Sequence, residues 1–371
     1  MAFAPPPPPR TWIAPAHPSD GGGLLVRPPG GGPEFHIDPI RPVARAVVTH
    51  GHADHARPNN KAVLATPETL AIMRARYGEA AGGTLHPLPY SEPLRIGDVE
   101  VRLVPAGHVL GSAQVVLDHK GSRVVVSGDY KRRPDPTCSP FEPVRCDLFV
   151  TEATFGLPVF RHPPDLGEVR KLLDSVALSP DRAHIVGAYA LGKCQRLIRL
   201  IRAAGWGDRP IHLHGALQGL CDLYERLGVE LGPLLPVAAG RKEAFRGEIV
   251  LCPPSAVADR WARRFPDPVV GLASGWMRVR QRVRQRGVEL PLVVSDHADW
   301  DELLDTVREV GCAELWVTHG REEALCHAAT AMGIRARALA LVGFDEEGQG
   351  EAADDDGPPS ADPPPDGGEQ A

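Results

Sequence analysis

Residues 50 to 55 read His50-Gly51-His52-Ala53-Asp54-His55, which places four metal-ligating side chains within six positions. Imidazole and carboxylate suit Zn²⁺ and its neighbours, and a set this dense has capacity for more than one cation. The run follows the apolar stretch Ala46-Val47-Val48-Thr49. A strand ending there would hand two imidazoles, two residues apart, to one metal, and Asp54 and His55 to a second. The plainer alternative is a histidine-rich loop in solvent. An acid inside the run, directly after a strand, argues for the metal site.

The elements needed to position such a site recur along the chain. His108 follows Val99-Glu100-Val101-Arg102-Leu103-Val104, Asp129 follows Arg123-Val124-Val125-Val126, and Glu152 ends Asp147-Leu148-Phe149-Val150-Thr151. His297 ends Leu290-Pro291-Leu292-Val293-Val294 and its loop, and His319 ends Glu314-Leu315-Trp316-Val317-Thr318. Each polar residue lies just past a short β-branched run, the signature of a strand. Strands of one sheet would present all of them along one edge.

With these motifs together, the chain resembles the metallo-β-lactamase-fold nucleases of the β-CASP group, relatives of the messenger-RNA 3′-end cleavage factor, ribonuclease J and Artemis. The His-x-His-x-Asp-His run, His108 and Asp129 match the lactamase-fold motifs, and Asp38 in His36-Ile37-Asp38-Pro39 matches the acid that buttresses them. Glu152, His297 and His319 match the motifs that set the β-CASP nucleases apart from small-molecule hydrolases. The resemblance spans residues 20–344. It is strongest to the bacterial ligase-associated DNA exonucleases, through Gly271-Leu272-Ala273-Ser274-Gly275-Trp276-Met277 and Val294-Ser295-Asp296-His297-Ala298-Asp299-Trp300.

The fold implied is α/β, a metallo-β-lactamase αββα sandwich with an inserted β-CASP α/β domain acting as a cap. The expected boundaries are a Pro-rich disordered N-terminus at 1–19 and a lactamase-fold domain at 20–155 and 290–344. The inserted domain takes 156–289, and an acidic disordered tail takes 345–371. The cofactors implied are two divalent metal ions, Zn²⁺ first and Mn²⁺ as the alternative. One would take His50, His52 and His108, the other Asp54, His55 and His319, with Asp129 bridging. Water activated between them would hydrolyse a phosphodiester. His297, oriented by Glu152, would protonate the leaving 3′-oxygen.

Charge must be read by region. The chain has 41 Lys and Arg against 47 Asp and Glu, a formal net charge of −6. Residues 345–371 hold ten acids and no base, so 37 acids face 41 basic residues elsewhere. Such a tail has little to bury and reads as disordered, either solubilising or mimicking nucleic acid in a basic groove. Arg278, Arg280, Arg282, Arg284 and Arg286 alternate with other residues, so an extended segment would carry all five on one face. Such a stripe suits phosphates; the competing expectation is a charged edge strand.

Two motifs are decoys. Gly187–Lys193 has the spacing of a phosphate-binding loop, but Cys194 stands where Ser or Thr must hold Mg²⁺. The amides at that helix start, with Lys193, would still suit a substrate phosphate. His212-Leu213-His214 lacks an adjacent acid and reads as strand-end packing.

Seven cysteines without a Cys-x-x-Cys pair suggest reduced thiols. No run approaches the roughly 18–20 apolar residues of a membrane span, and the N-terminus lacks the pattern of a signal peptide. A cytoplasmic enzyme without membrane contact is expected. The resemblance implies a metal-dependent DNA exonuclease in repair, acting on single strands or duplex ends alongside an ATP-dependent DNA ligase and a helicase. An RNA-processing nuclease of the same group is the alternative, and His319 counts towards it because Artemis-like DNA enzymes carry Val there. A non-catalytic scaffold and a small-molecule hydrolase rank below both.

Overall fold

Three consecutive valines show how the layers form. Side chains alternate faces along a strand, so Val124 and Val126 pack with Leu24, Phe35 and Ile37 in one core, while Val125 packs with Leu303, Val307 and Leu325 in another. A strand apolar on both faces must lie inside a layered structure. The computed structural model describes residues 11–237, 242–265, 267–339 and 341.

The first sheet runs in sequence order: β1 (Ile13–Pro15), β2 (Leu24–Val26), β3 (Phe35–Ile37), β4 (Ala46–Val47), β5 (Ala62–Ala65) and β6 (Thr84–Pro87). Helix α1 (Pro67–Tyr77) covers its outer face through Leu70 and Met73. The second sheet opens with β7 (Leu94–Ile96), β8 (Val99–Pro105), β9 (Ala113–His119), β10 (Ser122–Val126) and β11 (Leu148–Ala153).

The chain then leaves for a third, wholly parallel sheet flanked by helices α2 (Asp165–Leu178), α3 (Lys193–Ile201), α4 (Gly215–Arg226), α5 (Pro254–Val257) and α6 (Arg280–Gln285). Its strands are β12 (His184–Gly187), β13 (Ile211–Leu213), β14 (Leu234–Pro236), β15 (Ile249–Cys252), β16 (Val269–Ala273) and β17 (Leu290–Leu292), in the order β14-β13-β15-β12-β16-β17. The chain returns through α7 (Trp300–Val310), β18 (Glu314–Gly320), α8 (Glu322–Ala331) and β19 (Arg335–Ala338), and β18 pairs with β11. Helices α7 and α8 cover the second sheet, which completes an αββα sandwich. Ile72 of α1 shares one apolar core with Leu197 of α3 and Leu217 of α4, so the two units adhere.

Direction explains where the polar residues gather. β8 and β10 both run antiparallel to β9, and β10, β11 and β18 are mutually parallel neighbours. The carboxyl ends of β8, β10, β11 and β18 therefore share one edge.

Three expectations are corrected. Residues expected to be disordered at the N-terminus include β1, because Trp12 and Ile13 are apolar and buried and the strand pairs with β2; residues 1–10 and the acidic tail lie outside the described residues. The Leu290–Leu292 strand belongs to the third sheet, because it pairs with β16 and Leu292 packs in that domain's core. The arginine segment is helical: Val279 and Val283, one helical turn apart, pack against the cluster of Phe155, Trp276 and Met277. Helical spacing puts Arg280 and Arg284 on one side and Arg282 and Arg286 on another, not all five on one face. Among the described residues, no helix is long and apolar enough to cross a membrane.

Candidate metal centre

Every ligand expected from the sequence except Asp54 falls in one of two tight groups. Donor atoms of His50, His52, His108 and Asp129 lie within 4.8 Å of one another, as do those of His55, Asp129 and His319. Asp54 stands beside the second group, its Oδ2 3.6 Å from His55 Nε2. Asp129 belongs to both: its Oδ2 is 3.4 Å from the Nε2 atoms of His50 and His55, and its Oδ1 is 3.1 Å from His319 Nε2. Gly128 makes this approach possible. It has φ +56°, and a Cβ there would sit 2.8 Å from the Thr49 side chain.

The nitrogen remote from the cluster is fixed on each ring. Thr49 Oγ1 donates to Asp38 Oδ2 at 2.6 Å, so it accepts from His50 Nδ1 at 3.0 Å. Thr318 Oγ1 donates to Thr151 O and accepts from His319 Nδ1 at 2.9 Å. His55 Nδ1 donates to Asp38 Oδ2 at 2.8 Å, His108 Nδ1 to the Asp296 carbonyl at 2.9 Å, and His52 Nε2 to the Leu191 carbonyl at 3.3 Å. These bonds select tautomers whose other nitrogen offers a lone pair inward. Asp38 accepts from both Thr49 and His55, the position in which a buttress would act. Thr49 and Thr318 were not anticipated, although each directly precedes a ligand histidine.

The donor set fits divalent cations. His50 Nε2 is buried with no hydrogen-bond partner, and His52 Nδ1 and His108 Nε2 face each other at 3.0 Å. Orphaned lone pairs at such a spacing are costly unless a cation serves them. For the first group, electrostatics agree. Burial, with nearby histidines, holds His50 and His108 well below the usual imidazole range, as neutral ligands require. Burial opposes charge on His55 and His319, but Asp129 and the neighbouring carboxylates lift both above their ordinary value. Asp129 is itself held well below the carboxylate range, because His55 and His319 outweigh its burial.

Beside the ligands stands a second constellation. His297 Nδ1 lies 2.9 Å and 3.1 Å from the two oxygens of Glu152, and Glu152 Oε1 also accepts from the Tyr130 amide at 2.8 Å. The His297 ring is 4.6 Å from that of His108. Glu152 sits at a bulge: Thr151 and Ala153 pair with Val317 and Gly320, which leaves Thr318 and His319 opposite it.

Among known proteins, the metallo-beta-lactamase superfamily matches residues 29–187. A ribonuclease of Thermus thermophilus is 26% identical over 84% of this chain and 89% of its own length. The chain has the metallo-β-lactamase fold, and its relatives support the β-CASP nuclease group. A probable DNA ligase of Opitutus terrae is 28% identical over 82% of this chain, which spans 29% of that protein's length. A crystal structure of a protein of unknown function from Enterococcus faecalis shares the fold, with a TM-score of 0.53 at 12% identity over 81% of this chain and 80% of that one.

The remaining expected residues fall elsewhere. Arg278, Arg280, Arg284 and Arg286 are exposed, while Arg282 lies 3.9 Å over the Trp276 ring. Lys193 is fully buried, with Nζ 3.0 Å from Asp296 Oδ1, so its ammonium serves a carboxylate and not an open phosphate site. Of the decoys, His214 caps α4 by accepting from the Ala216 amide. Asp296 and Lys131 at the site were missed; the only signal was their place next to His297 and Tyr130.

Proposed function

We propose that this β-CASP protein is a metal-dependent DNA exonuclease that hydrolyses phosphodiesters in repair, in the same pathway as an ATP-dependent DNA ligase. The observation that carries the reading is His297, held by Glu152 at 2.9 Å beside a twofold ligand set centred on Asp129. His50, His52, His108 and Asp129 would hold one divalent cation, and Asp54, His55, His319 and Asp129 a second. Bound there, such cations neutralise charge developing on a phosphate and activate water as nucleophile.

The chain's own residues do the rest. Asp38, Thr49 and Thr318 keep the imidazoles turned inward. Glu152 accepts from His297 Nδ1 and so places Nε2 on the opposite side of the ring, as the atom that gives a proton to the leaving 3′-oxygen. A carboxylate behind the ring stabilises the imidazolium that precedes transfer, and a placed acid typically contributes about 10²–10⁴-fold. The exposed arginines around α6 are assigned to the backbone of the same strand, through their charge.

DNA is favoured by likeness to part of a protein named as a probable DNA ligase. RNA is the second reading, favoured by the ribonuclease matched over most of both chains. The deciding experiment digests matched 5′- and 3′-labelled single-stranded DNA and RNA with Zn²⁺ or Mn²⁺, beside an Asp54→Ala/His55→Ala control. Control-sensitive loss of DNA well above RNA is expected; preferential loss of RNA would move the protein to RNA processing.

A further inference from the structure

Two lysines are fully buried at the junction of the domains, and both point at the loop that carries His297. From the second sheet's edge, Lys131 Nζ donates to the His297 carbonyl at 3.3 Å. From the inserted domain, Lys193 Nζ lies 3.0 Å from Asp296 Oδ1 and 4.9 Å from the centre of the Tyr189 ring. Asp296 is only 1% exposed. Its own carbonyl accepts from His108 Nδ1 at 2.9 Å, so this one residue joins a metal-ligand ring, the inserted domain and His297. The loop is fixed further by the His297 amide on Ser295 Oγ at 3.0 Å and the Ala298 amide on the Tyr130 carbonyl at 2.7 Å.

The close approach of α3 depends on Gly192. It has φ +81°, and a Cβ there would come within 2.2 Å of Val109 and 3.7 Å of Asp296 Oδ2. Removing charges from water is expensive, and an apolar pair of like volume often serves stability as well or better. A buried ion pair on the residue before a proton donor is better explained by position than by stability.

We propose that Lys193 is a positioning residue for the leaving-group acid: through the Asp296 carboxylate, the inserted domain sets where His297 stands, with Lys131 holding the loop at the His297 carbonyl. This rests on the reading of His297 as proton donor. Lys193 touches no reacting atom in this account. It fixes the next-door residue, and a misplacement of about 1 Å in such a site can cost on the order of 10²-fold.

The test uses two substrates on the full chain. A DNA oligonucleotide needs a proton on its departing 3′-oxygen, whereas bis(p-nitrophenyl) phosphate releases p-nitrophenolate, which leaves without one. His297→Ala should lose on the order of 10²–10⁴-fold in kcat on DNA and little on the nitrophenyl ester. The double variant Lys193→Met/Asp296→Asn should follow the same pattern more mildly, roughly 10–100-fold in kcat on DNA with near-normal nitrophenyl hydrolysis, KM and metal content. Equal losses on both substrates, loss of metal, or unchanged DNA cleavage in the double variant would each overturn the proposal. If His297→Ala itself fails to discriminate, the acid assignment falls instead, and the two failures are distinguishable. Should the double variant not fold, Asp296→Asn alone keeps the side chain's volume and an acceptor for Lys193, and is judged by the same criterion.

Discussion

The histidine cluster around Asp129 and the arginines around α6 differ in how they are held. Each ligand ring has its remote nitrogen tied to a named partner, and His50, His55, His108 and Asp129 are all buried. Around α6, most guanidiniums are exposed, and Arg282 rests on Trp276. Chemistry that depends on fractions of an ångström needs the first arrangement. Attraction of a polyanion needs only charge in roughly the right place. Substitutions in the two regions should therefore fail differently, the first steeply and the second gradually.

The largest expected effect comes from Asp129→Ala, which removes the carboxylate common to both ligand groups. Several kcal/mol of charge stabilisation should disappear, so turnover falls on the order of 10³-fold or more, measured on labelled DNA. Retained activity would mean that the cluster is not the reactive centre. Next is Asp38→Asn, which leaves every ligand in place but weakens the hold on His55. Loss of an outer-shell partner typically costs about 10–100-fold in metal affinity, readable by chelator competition. An unchanged affinity would show the cluster to be less tightly determined than its geometry implies.

The arginines should respond to salt. Neutralising Arg280, Arg284 and Arg286 to Gln should leave kcat at saturating substrate near normal and flatten the plot of log K against log salt. The slope should fall by about 0.7–0.9 for each phosphate that is no longer neutralised. An unaltered slope would remove α6 from the substrate path.

The smallest effect is on stability. Burial, with Lys131 and Arg133 nearby, pushes His162 down to about 3 from its ordinary 6.5. Below pH 6.5 the unfolded chain takes up a proton that the folded chain refuses, so this group removes stability as pH falls towards 3. Between pH 7 and pH 5 the loss should be on the order of 2 kcal/mol, seen in urea titrations, and smaller in His162→Phe. Equal pH dependence in both proteins would contradict the assignment.

The grouping of the candidate ligands was more legible in the sequence than the residues that support them. Ligands were legible because each stands after a β-branched run, and parallel strands must bring such residues to one edge. The course of the arginine segment was not legible, because Val279 and Val283 are four apart, a spacing that satisfies both period two and a helical turn. β17 was misplaced because an apolar strand does not announce which sheet it will pair with. Asp296 and Lys131 gave no signal of their own, since their partners, Lys193 and the His297 carbonyl, lie far away in sequence. Thr49 and Thr318 do give one, each standing directly before a candidate ligand histidine, but the same position suits the end of a strand.

The most direct test of the central claim is the metal content of the purified chain, measured by elemental mass spectrometry after loading with Zn²⁺ or Mn²⁺ and removal of excess. About two ions per chain are predicted, falling together in Asp129→Ala, because one carboxylate faces both ligand groups. A single ion, or a content unmoved by that substitution, would contradict the twofold centre from which the rest is argued.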